Sequence, residues 1–103
     1  MPRTTPPLPL PVRRALRKLG SDIRNARLRR RIQTTVMADR MQISRPTLRK
    51  LEQGDPSVGM AAYATALYVL GMVQRLADLA DIAHDPVGQQ LASEALPQRI
   101  VSK

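Results

Sequence analysis

From Val12 onward the apolar residues recur every three or four positions, the period of a helix with one buried face. Val12, Leu16, Leu19, Ile23 and Ala26 form the first such series. Val36, Met37, Ala38 and Met41 form a second, and Leu48 and Leu51 a third. Met60, Tyr63, Ala64, Leu67 and Leu70 continue the pattern, followed by Leu76, Leu79 and Ala80. Each series is short and bounded by turn-forming residues, so the pattern predicts an all-α fold of five or six helices. The spacing predicts helices over about 12–30, from Gln33 or Thr34 to about 41, over 45–53, from about 60 to 70, over 73–83 and over 87–95. Gly20 and Ser21 lie inside the first series and predict a start or kink there. Ser44 is a suitable N-cap for the third helix, with Pro46 in its first turn and Gly54 as its stop. Pro97 predicts the end of the last helix, leaving Ile100-Val101 for a possible short strand.

Ahead of the periodic region, residues 1–11 contain five of the nine prolines. That density predicts a Pro-rich disordered arm without helix or central strand. Three regions result: the arm at 1–11, a helical domain at 12–72, and a C-terminal helical extension and tail at 73–103. At 103 residues the chain has room for one modest core.

The charge is divided along the same line. Residues 1–54 carry fourteen basic and three acidic side chains, a net of +11; residues 55–103 carry three basic and five acidic, a net of −2. Fourteen of the seventeen bases are Arg, which binds phosphate and guanine edges in a bidentate manner that Lys cannot reproduce. A basic half of this kind points to a polyanionic partner. The chain has no Cys and a single His, which excludes thiolate zinc sites, disulfides and cysteine nucleophiles. Tyr63 and Tyr68 are its only aromatic residues, too few for a platform on which single-stranded bases stack. No apolar run approaches the roughly 20 residues of a membrane span, and no apolar segment of a secretory signal precedes the helices. Asp78, Asp81 and Asp85 read as a solvated helix face, His84 as a surface turn residue, and Met37, Met41, Met60 and Met72 as core filler. No catalytic residue, metal site or cofactor is assigned.

Two short helices joined by a tight turn, the second bearing exposed bases, describe a helix-turn-helix. The string from Ala38 to Gly54 reads Ala-x3-turn-Ile-Ser-x2-Thr-Leu-x2-Leu-Glu-x-Gly. Over about residues 19–72 it resembles the Xre, or lambda-repressor-like, DNA-binding domain. The wider pattern of Gly54-Asp55-Pro56-Ser57-Val58, Tyr63-Ala64, Leu70-Gly71-Met72, Leu76 to Asp81 and Leu96 to Ile100 looks like a HipB-type antitoxin. Two positions depart from the family: Gln42 stands where Gly is usual in the turn, and Thr34 where Gln is usual at the start of the first short helix.

The resemblance implies roles by position. Ser44, Arg45, Pro46, Thr47, Arg49 and Lys50 would form the recognition helix in the major groove. Thr34 and Thr35, with Arg30 and Arg31, would hold phosphates. Arg27 and Glu52 would form a structural ion pair between helices. Leu76, Leu79, Leu96 and Ile100 would form a dimer or partner surface. It also implies a homodimer on a palindromic double-stranded DNA operator, repression of its own operon, a HipA-like serine/threonine kinase toxin as partner, and a cytoplasmic, nucleoid-associated bacterial location. Two other readings of the same residues stay open: a stand-alone transcriptional repressor, and a protein-interaction module that inhibits an enzyme without specific DNA readout.

Overall fold

The computed structural model describes residues 7–101, with side chains described through residue 95. Arg3 therefore lies outside the described residues, as does most of the Pro-rich segment. The described chain contains six α-helices and no strand. They are α1 (Leu10–Arg29), α2 (Thr34–Met41), α3 (Arg45–Glu52), α4 (Met60–Val69), α5 (Val73–Ala77) and α6 (Pro86–Val101), with a 3-10 turn at Ile82–His84. Residues up to Met72 form one compact unit and residues from Val73 onward a second. None of the helices is long and apolar enough to cross a membrane, among the described residues.

Helix α1 begins inside the segment expected to be non-helical. Pro9 is its N-cap and Pro11 sits in its first turn. There the missing N–H has no intrahelical partner to lose, and the fixed φ of Pro suits the helix. The expected break at Gly20 is also absent. Gly20 is buried in mid-helix, and a Cβ built on it would lie 2.5 Å from the Gly54 amide nitrogen and 2.6 Å from the Leu51 carbonyl oxygen. The glycine therefore serves close backbone approach between α1 and the end of α3, not a bend.

The four helices of the first unit share one kind of ending. After each, a residue at positive φ turns the chain, and the following amide reaches back to a carbonyl five residues earlier. These bonds are Ile32 to Arg27 (3.2 Å), Ile43 to Ala38 (3.0 Å), Asp55 to Lys50 (3.0 Å) and Met72 to Leu67 (2.7 Å). The left-handed residues are Arg31, Gln42, Gly54 and Gly71. Gly54 and Gly71 carry no Cβ penalty in this conformation, whereas Arg31 and Gln42 do.

The core consists of Ile23 and Ala26 from α1, Met37, Ala38 and Met41 from α2, Leu48 and Leu51 from α3, Tyr63 and Ala66 from α4, and Leu70. Tyr63 is buried, and its hydroxyl donates to the Asp55 carbonyl at 3.0 Å, which satisfies its one polar group. Met60, expected in the core, is exposed at the first position of α4.

The second unit departs furthest from the expected pattern. Helix α5 stops at Ala77 instead of running to Ala83. Asp81 is extended (φ −65°, ψ 141°), and its carboxylate accepts the Ala83 amide at 2.8 Å, so the side chain supports a new turn at the expense of continued helix. Asp85 accepts the Gly88 amide at 3.0 Å in the same way at the start of α6. The Gln89 amide nitrogen donates to the Ile82 and Ala83 carbonyls, tying the 3-10 turn to α6. The backbone of α6 continues through Pro97 to Val101, so Ile100-Val101 is helical and not a strand. A proline removes one helical N–H, and helix persists on both sides of it.

Candidate nucleic-acid interface

The interface is built on the α2–turn–α3 segment. Gln42 ends α2 in the left-handed region (φ 57°, ψ 45°) and Ile43 packs against the core. Ser44 then caps α3: its hydroxyl accepts the Thr47 amide at 3.2 Å and lies 2.9 Å from the Thr47 hydroxyl. Leu48 and Leu51 anchor one face of α3 in the core, which leaves Arg45, Pro46, Arg49 and Lys50 exposed. Apolar anchoring of this face fixes the rotation of α3 about its axis, and with it the direction of the opposite face.

A cleft of about 560 Å³ runs beside that exposed face, lined by Arg24, Thr34, Arg45, Pro46, Arg49 and Gln53, with Arg27, Leu48 and Glu52 also bordering it. Arg45, Arg49 and Gln53 succeed one another every four residues, one helical turn apart. Thr34 enters the cleft as the first residue of α2. Its helix has neither a side-chain cap at Gln33 nor an acidic residue in its first turn, so the leading amides are available to an anion.

Beneath this face lies Arg27, the one charged residue buried as a whole among the described residues, paired with the equally shielded side chain of Glu52. Arg27 donates from Nε to Glu52 Oε2 at 2.7 Å and from Nη2 to Glu52 Oε1 at 3.1 Å. Its remaining nitrogen donates to the Ile32 carbonyl at 2.9 Å. The pair joins α1 to α3, and the third bond holds the loop that leads into α2. Every buried side-chain polar atom among the described residues has a partner, as a buried ion pair requires.

The other expected positions fall elsewhere. Ser44 and Thr47 are engaged with each other as a cap. Lys50 is exposed but does not line the cleft, nor does Thr35. Arg30 folds back on α1, donating to the Ala26 carbonyl at 3.0 Å, and Arg31 is the left-handed residue that ends that helix. Neither lines the cleft. Leu76 is half-buried and Leu79 exposed in the second unit, while the side chains of Leu96 and Ile100 lie outside the described residues. Arg24 and Gln53 are additions to the site that the motif does not include. Gln53 is legible as the next helical turn after Arg49, whereas Arg24 reaches the cleft from α1 and carries no such signal.

A family model described as a helix-turn-helix domain matches residues 22–87. No curated protein and no solved structure matches the chain.

Proposed function

Because the chain belongs to the helix-turn-helix domain family, we propose that it is a DNA-binding regulator whose α3 reads base sequence in the major groove. The observation that carries this is the exposure of Arg45 and Arg49 on one face of a helix whose other face is locked in the core. Arg is suited to bidentate contact with guanine O6 and N7, and the first residues of a recognition helix are those that meet base edges. Arg45 and Arg49 are the proposed base readers, with Pro46 placed to touch a thymine methyl. Thr34 and the leading amides of α2 are the proposed phosphate clamp that fixes register. Ser44 and Thr47 support the reading indirectly by capping α3. Arg30, Arg31 and Thr35 remain proposed backbone contacts outside the cleft, and Lys50 remains a proposed recognition-helix residue beside it.

The test is a pair of single variants on two duplexes, one from just upstream of the gene and one scrambled. Arg45→Ala and Arg49→Ala should each cost about 1–3 kcal/mol of discrimination between the duplexes. Equal losses on both duplexes would mean that the two residues bind only phosphate, which favours the interaction-module reading.

At a finer level, we read the protein as an autoregulating antitoxin of the HipB type. In this reading it binds a palindromic operator as a homodimer, with half-sites about 34–36 Å apart or a multiple of that, and pairs with a HipA-like kinase toxin. Support comes from the sequence resemblance and from the second unit, whose Leu79, Val87 and Leu91 are exposed. Single helix-turn-helix modules span only half of such a site, and exposed apolar groups favour a partner. Co-expression with the adjacent reading frame separates this from a stand-alone repressor: a stable complex supports the antitoxin, and the absence of one supports the repressor.

A further inference from the structure

The basic character of this protein does not stop at the α2–α3 segment. Arg13, Arg17, Gly20, Arg24 and Arg27 are spaced four, three, four and three residues apart along α1, so they form one stripe on a helix of 3.6 residues per turn. Arg27 and Gly20 fix the direction of the stripe, since both are held against α3, one through Glu52 and the other through the Leu51–Gly54 backbone. A Cβ at Gly54 would likewise collide with the Leu16 carbonyl and lie 2.6 Å from the Arg17 Cα. Arg24 lines the cleft along α3. Arg13 and Arg17 line a second hollow with Gln53, Gly54, Asp55 and Pro56. Gln53 borders both hollows, so the two are neighbours along the α1–α3 seam.

Resting on the reading that α3 enters the major groove, we propose that the N-terminal half of α1 is a second DNA-contacting element, in which Arg13 and Arg17 bind the phosphate backbone flanking the bases read by α3. Both residues precede the span matched by the helix-turn-helix family, which begins at residue 22. Both are exposed and neither has an ion-pair partner among the described residues, in contrast to Lys18, which pairs with Asp22 at 2.6 Å. Asp55 is the one acidic residue bordering their hollow. Its carboxylate accepts the Ser57 amide at 2.8 Å, and the two guanidinium groups outnumber it. From Arg13 to Arg24 the stripe covers about 16 Å of helix at 1.5 Å per residue. That length equals four or five base-pair steps along the duplex axis at roughly 3.4 Å each. Because these interactions are with phosphate, they add affinity and salt dependence but no sequence preference.

The experiment compares the full chain with Arg13→Ala/Arg17→Ala and with Arg14→Ala/Lys18→Ala, which removes the same charge from a face of α1 turned about 100° away from the stripe. Ala is the strongest helix former, so α1 is retained in both, as circular dichroism will verify. If either Ala variant loses helix, the corresponding Gln double variant replaces it. Binding to the upstream and scrambled duplexes is measured across a salt series. The expected result is that Arg13→Ala/Arg17→Ala lowers the slope of log affinity against log salt by about 1.8 on both duplexes, roughly 0.9 for each phosphate no longer neutralised. The ratio of affinities for the two duplexes should stay unchanged, and Arg14→Ala/Lys18→Ala should leave the slope near that of the parent chain. An unchanged slope overturns the proposal, as does an equal drop in both variants, which would reflect net charge alone. Loss of the duplex ratio overturns it too, because the residues would then read bases. Failure of the parent chain to bind any duplex would instead overturn the DNA-binding reading itself, and this proposal with it.

Discussion

Arg27 and Glu52, twenty-five residues apart, meet in a two-point ion pair between α1 and α3 that is almost wholly shielded from water, with 6% and 7% of the two side chains exposed. This pair lies directly beneath the face that carries Arg45 and Arg49, and its third hydrogen bond sets the loop before α2. It thereby ties both halves of the helix-turn-helix to the long first helix.

Removing one member leaves the other charge buried and alone. Glu52→Ala should cost about 3–5 kcal/mol, a large fraction of the stability of a domain this size, which is typically about 5–15 kcal/mol. The Arg27→Met/Glu52→Leu double variant should recover much of that deficit, because an apolar pair of similar volume needs no desolvated partner. Chemical denaturation of the three proteins checks this; a double variant as unstable as Glu52→Ala would contradict it.

The close approach of α1 to α3 makes Gly20 irreplaceable. Three backbone atoms lie within 2.8 Å of the position its Cβ would take. Gly20→Ala should therefore cost at least about 1–3 kcal/mol, as overpacked cores do, despite the gain in helix propensity. Gly59→Ala, where nothing lies within 4 Å, meets no clash and should cost only about 0.5–1 kcal/mol, because Ala is a poorer N-cap for α4 than Gly. Thermal melts of both variants distinguish the two sites.

Gln42 holds a left-handed conformation in the turn between α2 and α3. Gln42→Gly should relieve a cost of about 1 kcal/mol and raise Tm by about 4–8 °C in a domain of this size. A lower Tm would show that the Gln42 side chain contributes more than its backbone costs.

Asp55 links the end of α3 to α4. The Ser57 amide, followed by the Ser57 hydroxyl, holds its carboxyl below the ordinary carboxylate value. A carboxyl with a lowered pKa in the folded state adds stability above its unfolded pKa and loses it as pH falls through the folded value. Tm of the parent chain should therefore fall more steeply between about pH 5 and pH 2 than that of Asp55→Asn. Parallel pH profiles would contradict the assignment.

The sequence pattern located the helix-turn-helix segment better than it located the ends of helices. Helix α3 was legible because Ser44, Pro46, Leu48, Leu51 and Gly54 all carry local signals for the same structure. Gly71 was legible as a stop for the same reason that Gly54 was. Arg31, an equivalent stop, carries no such signal, because its left-handed turn is imposed by the Ile32–Arg27 and Arg31–Leu28 hydrogen bonds. Pro11 and Pro97 misled in a common way: proline is read as a breaker, yet it is tolerated in a first turn and also occurs within α6. Gly20 misled because a glycine in a helical pattern signals weakness locally, and its use here depends on Gly54, thirty-four residues away. In the cleft, Arg45, Arg49, Pro46 and Thr34 follow from the motif. Arg24 enters only through the crossing of α1 with α3, which one-dimensional periodicity does not contain.

Whether α3 reads base sequence is decided by binding of the full chain to two duplexes, one from upstream of its own gene and one scrambled, at two salt concentrations. A base-reading α3 prefers the upstream duplex by about a thousandfold or more, and the preference persists as salt rises. Equal affinities that fall together with salt would be counterion release without base readout, and would contradict it.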